Sequence, residues 1–286
     1  MSKNPSLRQP MGPLSVGNVV SAGLRIYRDH FKSYFGLTIK ALLWTLVPIY
    51  GWAKSFQIQA IISRQVFKEL VNQPESITTT RITLTQRFWS FWAAQFLIGL
   101  IGFGVNLCVF LVLSNIGAIP IAILIGNSNS SPQSNLIIAL VQNVVNLITL
   151  IISVWFYSHF FIAELPLALE NNMNSTNSIG RSWELTKGFV FRIQLIILAA
   201  AVISFPILLL ALAPIFFLIK PLFANNFSLD TLLVIISSII FLGIFLWVVG
   251  TTLMMPFWQA IKAVIYYDIW SRREALGLQV RDSRPQ

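Results

Sequence analysis

Long apolar runs alternate with short polar breaks along this chain, and the lengths of the runs predict membrane-spanning helices. Residues 88–163 contain no Asp, Glu, Lys or Arg. About 20 consecutive apolar residues cross a bilayer core as a helix, so this stretch accommodates two spans around the polar 127–135 segment (NSNSSPQSN). Further apolar runs occupy 33–53, interrupted by Lys40 and Pro48, then 193–219 and 231–260. They are apolar on every face and lack the period-2 alternation of a barrel strand. Helices then satisfy the backbone inside lipid. The predicted fold class is all-α, a polytopic transmembrane helix bundle with interfacial amphipathic helices.

Ahead of the first run, residues 1–14 are expected to be disordered. Ser15 suits an N-cap for a helix on which Val16, Val20, Leu24, Tyr27, Phe31 and Phe35 recur at helical spacing. Arg25, Arg28 and Lys32 form a basic stripe on another face. That distribution predicts a helix in the headgroup plane, apolar side inward and cations toward phosphates. Residues 54–70 read as amphipathic and charged, followed by a polar linker to Arg87.

Phe88, Trp89, Phe91 and Trp92 open the next span with an aromatic belt. Ser114, Ala118, Ala122 and Gly126 then put a small residue at every fourth position, which allows close helix contact. Residues 175–187 predict a short helix, with Ser175 as its cap and Gly188 as its stop. Pro206 and Pro214 should kink 193–219. Pro256 should interrupt the last span, whose extension carries Trp258, Tyr266, Tyr267 and Trp270 to an interface. The chain thus divides into a disordered 1–14, a single helical membrane domain over 15–270, and a basic, water-facing tail over 271–286.

Composition agrees with this pattern. The chain is 56% hydrophobic and 10% charged, against about 25% charged residues in a typical soluble domain. Its net charge of +10 flanks apolar runs instead of interleaving with aromatics on one soluble face. That implies anionic membrane lipid as a partner, and no nucleic acid. Cys108 is the only cysteine, so an intrachain disulfide and a cysteine metal cluster are both excluded. The first long apolar run begins only near Tyr34, which is not the layout of a cleaved signal peptide.

Lys plus Arg number five in 1–32, five in 54–87, none in 127–135, three in 164–192, one in 220–230 and five after Pro256. The positive-inside bias then places 54–87, 164–192 and the C-terminus in the cytoplasm. A full span at 33–53 would strand the basic N-terminus outside. One solution is that 33–72 enters and returns as a broken hairpin at Pro48. The other is that 88–126 holds two short spans with a turn near 114–117, leaving a five-cation loop outside. The hairpin is favoured, and both solutions keep the two termini cytoplasmic.

Candidate chemistry is sparse. There is no H-x-x-x-H, Gly-x-Ser-x-Gly, Walker loop or G-x-G-x-x-G motif, and the ten acids are scattered. Only Lys40 and His159 fall within apolar runs, and Lys40 can snorkel. His159, between Tyr157 and Phe160, reads as a satisfied interfacial histidine. An ion pair of Lys40 with Glu164 is conceivable. In 179–187 (IGRSWELTK) Glu184 is spaced to pair with both Arg181 and Lys187, and Ile179 shares a face with Trp183. This describes a self-neutralised interfacial helix anchored by an indole. The expected lipid-interface residues are Arg25, Arg28, Lys32, Trp183, Trp270, Arg272 and Arg273. No catalytic, cofactor-binding or metal-ligating residue is expected.

Three short landmarks span most of the chain: Leu14-Ser-Val-Gly-Asn-Val with Leu24-Arg-Ile-Tyr-Arg, Ser-Trp-x-Leu-Thr-Lys-Gly at 182–188, and Ile265-Tyr-Tyr-Asp-Ile-Trp-Ser-Arg-Arg-Glu-Ala-Leu-Gly-Leu278. Together they resemble bacterial multi-pass proteins carrying the membrane domain of glycerophosphoryl diester phosphodiesterase, and related inner-membrane families. The resemblance implies about six membrane helices with interfacial helices between them. It also implies a membrane module without the soluble hydrolase, whose His/Glu/Asp set is missing. The expected function is therefore non-enzymatic, a structural, accessory or lipid-organising role in the bacterial cytoplasmic membrane. A transporter or channel subunit is the alternative, because Pro206, Pro214 and Pro256 could break helices around a midplane site. An intramembrane lipid enzyme would need a nucleophile–base pair at one depth, and His159 with a nearby Ser is the only candidate.

Overall fold

A computed structural model describes the backbone of residues 14–125, 132–219 and 229–282, and the side chains of 14–115, 136–206, 209 and 233–273. The described residues form ten helices and no strand, so the chain is all-α as expected. Ser15 caps α1 (Val16–Asp29), its side chain accepting from Asn18 N at 3.2 Å. The apolar face of α1 is divided. Val19, Val20, Ala22 and Ile26 are buried where α1 packs on α9 and α10, whereas Leu24, and Phe31 just beyond the helix, stay exposed. Protein therefore covers part of this face.

After His30, α2 (Phe31–Thr45) runs out and α3 (Tyr50–Leu70) returns beside it. The 15 residues of α2 reach about 22 Å at about 1.5 Å per residue, short of a hydrocarbon core of about 30 Å. At the tip, Ile49 has φ 59° and ψ −69°, and Tyr50 N donates to Pro48 O at 2.7 Å. This is a γ-turn with positive φ, a strained conformation for a β-branched residue. Gly51 must follow it, because a Cβ there would sit 1.9 Å from Trp44 O. At the open end, His30 Nε2 meets Glu69 Oε2 at 2.9 Å. The two arms thus form a helical hairpin broken at Pro48, the shape that was expected. The two-span alternative fails because α5 (Phe88–Ile125) is one helix, with no turn near 114–117.

Two long hairpins rise from one end of the molecule. α5 pairs antiparallel with α6 (Pro132–Phe160): Tyr157 packs on Gly102, and one turn further along Ser153 hydrogen-bonds Asn106. Of the small-residue ladder, only Ser114 has a described side chain; Ala118, Ala122 and Gly126 lie outside those described. α9 (Val190–Ile219) packs on α10 (Leu229–Asp282), and runs through Pro206 and Pro214 as one helix.

α10 also continues through Pro256, where an interruption was expected. A proline removes one helical donor, here the one for Thr252 O; Tyr27 Oη donates to the neighbouring carbonyl, Leu253 O, at 3.0 Å. The segment expected as a tail therefore begins as helix. Phe88–Asn115, Leu136–Leu169 and Leu233–Arg273 are each long and apolar enough to cross a membrane. The pair Ser175–Thr186 and Val190–Pro206, bent by 95°, gives a fourth crossing if it counts as one span. Only 11%, 6% and 0% of the three most apolar windows is buried inside the protein, so their side chains face outward, as lipid-facing residues do.

The packed core lies elsewhere, where the long helices begin and end. Here α3 lies against α10, and α4 (Ile77–Thr85), α7 (Glu164–Leu169) and α8 (Ser175–Thr186) close over it. Ile58, Ile61, Ile62 and Val66 recur at helical spacing on α3 and are buried with Ile261, Val264, Ile265 and Tyr267 of α10. Each such side chain contributes about 1.5–3 kcal/mol by leaving water. The polar linker expected after α3 contains α4, because Ser76 caps it by accepting from Thr79 N at 3.1 Å, and Thr80 and Leu84 are buried. The cap of α8 is Asn174, which accepts from Asn177 N at 2.8 Å, and not Ser175. The Ser175 hydroxyl donates instead to Ser90 O at 2.9 Å, tying α8 to the root of α5. Gly188 ends this region with φ 86°, which a glycine adopts freely.

Candidate functional site

Most buried charge in the described chain lies in this hub, and most of it ties helices together. Asp268 is wholly buried on α10. Its carboxylate accepts from Leu14 N at 2.8 Å, Arg192 Nε at 2.9 Å and Arg272 Nε at 3.1 Å. Both arginines also donate to Leu14 O, Arg272 at 2.8 Å. One carboxylate and two guanidiniums thereby hold the start of α1, the root of α9 and the end of α10 at one point. Asp268 and Arg272 are four residues apart, one helical turn, but the sequence carried no signal for Arg192 or Leu14.

A second clasp holds α7. Its last carbonyls have no helical donor, and two arginines supply one. Arg64 on α3 donates to Ala168 O, and Arg87 donates to Leu167 O at 3.2 Å and Glu170 O at 2.8 Å. Arg64 also makes a two-pronged pair with Glu75, at 2.9 and 3.0 Å, and Lys68 joins at 3.2 Å. The Arg64 hydrogen bonds hold the Glu75 carboxyl below the usual carboxylate range, against the opposing effect of burial, with Lys68 assisting. Burial, with Glu69 adding, pushes the Tyr34 hydroxyl up.

A third cluster places Ser63 Oγ 2.9 Å from Glu164 Oε1 and 2.8 Å from Gln259 Oε1, with Lys262 Nζ 3.4 Å from Glu164 Oε2. A hydroxyl has one proton to give, so turning the Gln259 amide, and Gln59 beside it at 2.8 Å, makes every contact donor to acceptor. A serine beside a carboxylate and a lysine has the elements of a nucleophile and base. Ser63 is fully buried, however, so a substrate has no approach to it. Glu164 thus pairs with Lys262; Lys40, the partner considered from sequence, is exposed on α2.

The fourth cluster opens to the surface where α6, α8 and α9 meet. The His159 ring stacks on Trp183 at 3.8 Å, with Trp155 edge-on at 4.9 Å. Its Nδ1 lies 2.9 Å from Thr186 Oγ1. Ser182 Oγ donates to His159 O at 2.6 Å. His159 therefore meets hydroxyls and indoles, with no carboxylate among its contacts. Beside this stack lies a groove of about 510 Å³, reaching Lys187 and the first residues of α9.

The residues expected at a lipid interface divide into two groups. Arg25 and Lys32 are exposed, and Arg28 is exposed beside Asp29 at 3.5 Å. Trp183 is held by the His159 stack, and Trp270 packs edge-on against Phe67 at 6.2 Å. Arg272 is in the Asp268 clasp. Arg273 caps α8 from outside, donating to the carbonyls of Leu185 at 3.2 Å, Lys187 at 3.1 Å and Glu184. Glu184 pairs with Arg181 at 3.8 Å, and Arg181 also reaches Glu170 at 3.2 Å. Lys187 pairs with no carboxylate among the described residues. No group of three His, Cys, Asp or Glu capable of holding a metal ion occurs among them either. No family model matches the chain, and no curated protein or solved structure is significantly similar to it.

Proposed function

We propose that the chain is a multi-pass protein of a bacterial cytoplasmic membrane, with its hub and both termini on the cytoplasmic side. Its role there is to organise lipid or to act as an accessory subunit, without catalysing a reaction. The division of the cations carries this reading. Arg64, Arg87, Arg192, Lys262, Arg272 and Arg273 are committed to carboxylates or to helix-end carbonyls. Arg25, Lys32, Lys40 and Lys187 lie exposed and without a carboxylate partner among the described residues. Committed charges stabilise a fixed shape, whereas free ones near apolar surface attract anionic headgroups at about 1 kcal/mol each.

The Leu14–Asp268 bond puts the two ends of the described chain on one side of the long helices, where most of the cations cluster. That agrees with the positive-inside bias, and the resemblance to hydrolase-free membrane modules supports the non-enzymatic part of the reading. Reporter fusions at Gln286 and ahead of Ser15 should both report cytoplasm, and an external report from Gln286 sinks the topology. The purified chain in phospholipid vesicles should leave the lipids chemically unchanged and pass no ions. Lipid turnover that His159→Ala abolishes would overturn the non-enzymatic reading, and ion flux would replace it with a channel or transporter.

A further inference from the structure

The groove beside His159 has chemistry that the hub does not use. Lys187 extends from the end of α8 with no carboxylate partner among the described residues, and Glu184 pairs with Arg181 instead. The carbonyl end of α8 would oppose an anion here, but Arg273 covers three of its carbonyls. The next helix presents the opposite polarity. Phe189 O takes the first bond of α9, from Ile193 N at 2.9 Å, and a phenylalanine side chain cannot cap the amides that follow. Those first-turn amides carry the positive end of the helix dipole, and Val190 and Phe191 line the groove.

The walls add polar and apolar contacts in a fixed order. His159 is 3% exposed and lines the groove, and its Nε2 has no partner among the described residues. Thr186 Oγ1 gives its one proton to Ser182 O at 2.8 Å, so His159 donates from Nδ1 to Thr186 and its Nε2 lone pair is left to accept from a headgroup hydroxyl. Gln194 contributes an amide. Beside this polar floor stand Trp155 on α6 and Phe191 on α9, which line the groove, and Leu195, Leu198 and Val202 carry the exposed apolar face of α9 onward at helical spacing.

From this sequence we infer that the groove is a binding site for one phospholipid of anionic headgroup. Its phosphodiester lies against Lys187 and the first turn of α9, and its acyl chains run along the seam of α6 and α9. Charge complementarity argues for an anion, and the apolar seam argues for a lipid over a free phosphate. The two indoles give the wall that interfacial Trp side chains favour. The site rests on the lipid-organising reading above and identifies the lipid class it would act on.

The test places the full chain in nanodiscs of phosphatidylcholine and phosphatidylglycerol in equal amounts, releases it into mild detergent, and counts retained phospholipids by native mass spectrometry. The wild type should retain phosphatidylglycerol in preference to phosphatidylcholine. Lys187→Glu should lower that retention at least about fivefold, the loss expected when one cation at an anionic surface is removed. Lys187→Arg should keep it, and Lys187→Gln provides an intermediate loss with the smallest change to folding. Arg81→Glu, at an exposed cation on α4, should leave retention unchanged.

Equal retention by Lys187→Glu and wild type overturns the site while leaving the lipid-organising reading standing. An equal loss in Arg81→Glu overturns the site as well, by showing attraction to net charge alone. A wild type that retains no phospholipid overturns both. Free inorganic phosphate that displaces the lipid would overturn the phospholipid in favour of a soluble phosphate compound.

Discussion

Replacing Asp268 with Ala should be among the most destabilising single changes in the hub. The carboxylate is fully buried and accepts from Leu14 N, Arg192 and Arg272 at 2.8–3.1 Å. Removing it leaves two guanidiniums without their counter-charge and one buried amide without an acceptor. Breaking a buried ion pair by deleting one partner costs about 3–5 kcal/mol. Both arginine side chains are about a quarter exposed, so water recovers part of their solvation and the lower end of that range, about 3 kcal/mol, applies.

Equilibrium unfolding of the purified chain in mixed micelles measures the loss. Arg192→Leu combined with Asp268→Ala should be milder than the sum of the two single changes, because the double variant leaves one unpaired arginine and not two. Faster tryptic cleavage after Arg25 should accompany the loss, since the clasp holds the start of α1. The reasoning is refuted if Asp268→Ala lies within about 1 kcal/mol of wild type, below the range for a buried pair. Strict additivity with Arg192→Leu would refute it too.

Three further outcomes follow from the same contacts. The folded Glu75 carboxyl titrates below its unfolded value, so its contribution is complete above the ordinary carboxylate range and is lost as pH falls through the lowered folded value. Acid titration of stability should show that component in wild type and not in Glu75→Gln; identical profiles would contradict the Arg64–Glu75 assignment. Gly51→Ala should cost about 1–3 kcal/mol, because its Cβ would meet Trp44 O at 1.9 Å, whereas Gly17→Ala, with nothing within 4 Å, should be tolerated. Unfolding of the two variants side by side decides this, and equal stabilities would show that the hairpin tip is not tight. Replacing Arg25, Arg28 and Lys32 together by Gln should reduce the extra thermal stability that anionic over zwitterionic nanodiscs give the chain, at about 1 kcal/mol per cation; an unchanged difference removes these residues from the lipid interface.

Hydrophobic runs and their lengths were enough to read the all-α class, the long apolar helices and most of their positions, because spanning helices are specified by local composition. The caps at Ser15 and Gly188 were legible for the same reason, each depending on a few adjacent residues. Charge counting also confined residues 33–72 to two arrangements. Choosing between them took the three-dimensional contacts at Pro48–Gly51 and His30–Glu69.

What local pattern could not supply was the destination of the charged side chains. Arg272 and Arg273 sit in a basic stretch that reads as surface, yet one joins a carboxylate and a backbone carbonyl 258 residues away and the other caps α8. Pro256 reads as a break, yet the helix continues past it, and in that turn Tyr27, on a distant segment, donates to Leu253 O. α3 reads as amphipathic and charged and lies at the centre of the core, because its neighbours on α10 and α7 come from far along the chain. The free Lys187 depends in turn on which way Glu184 pairs and on Arg273 reaching across from α10. Hydrogen bonds and ion pairs act over a few ångströms of space and carry no period in the sequence, so only the tertiary structure decided them.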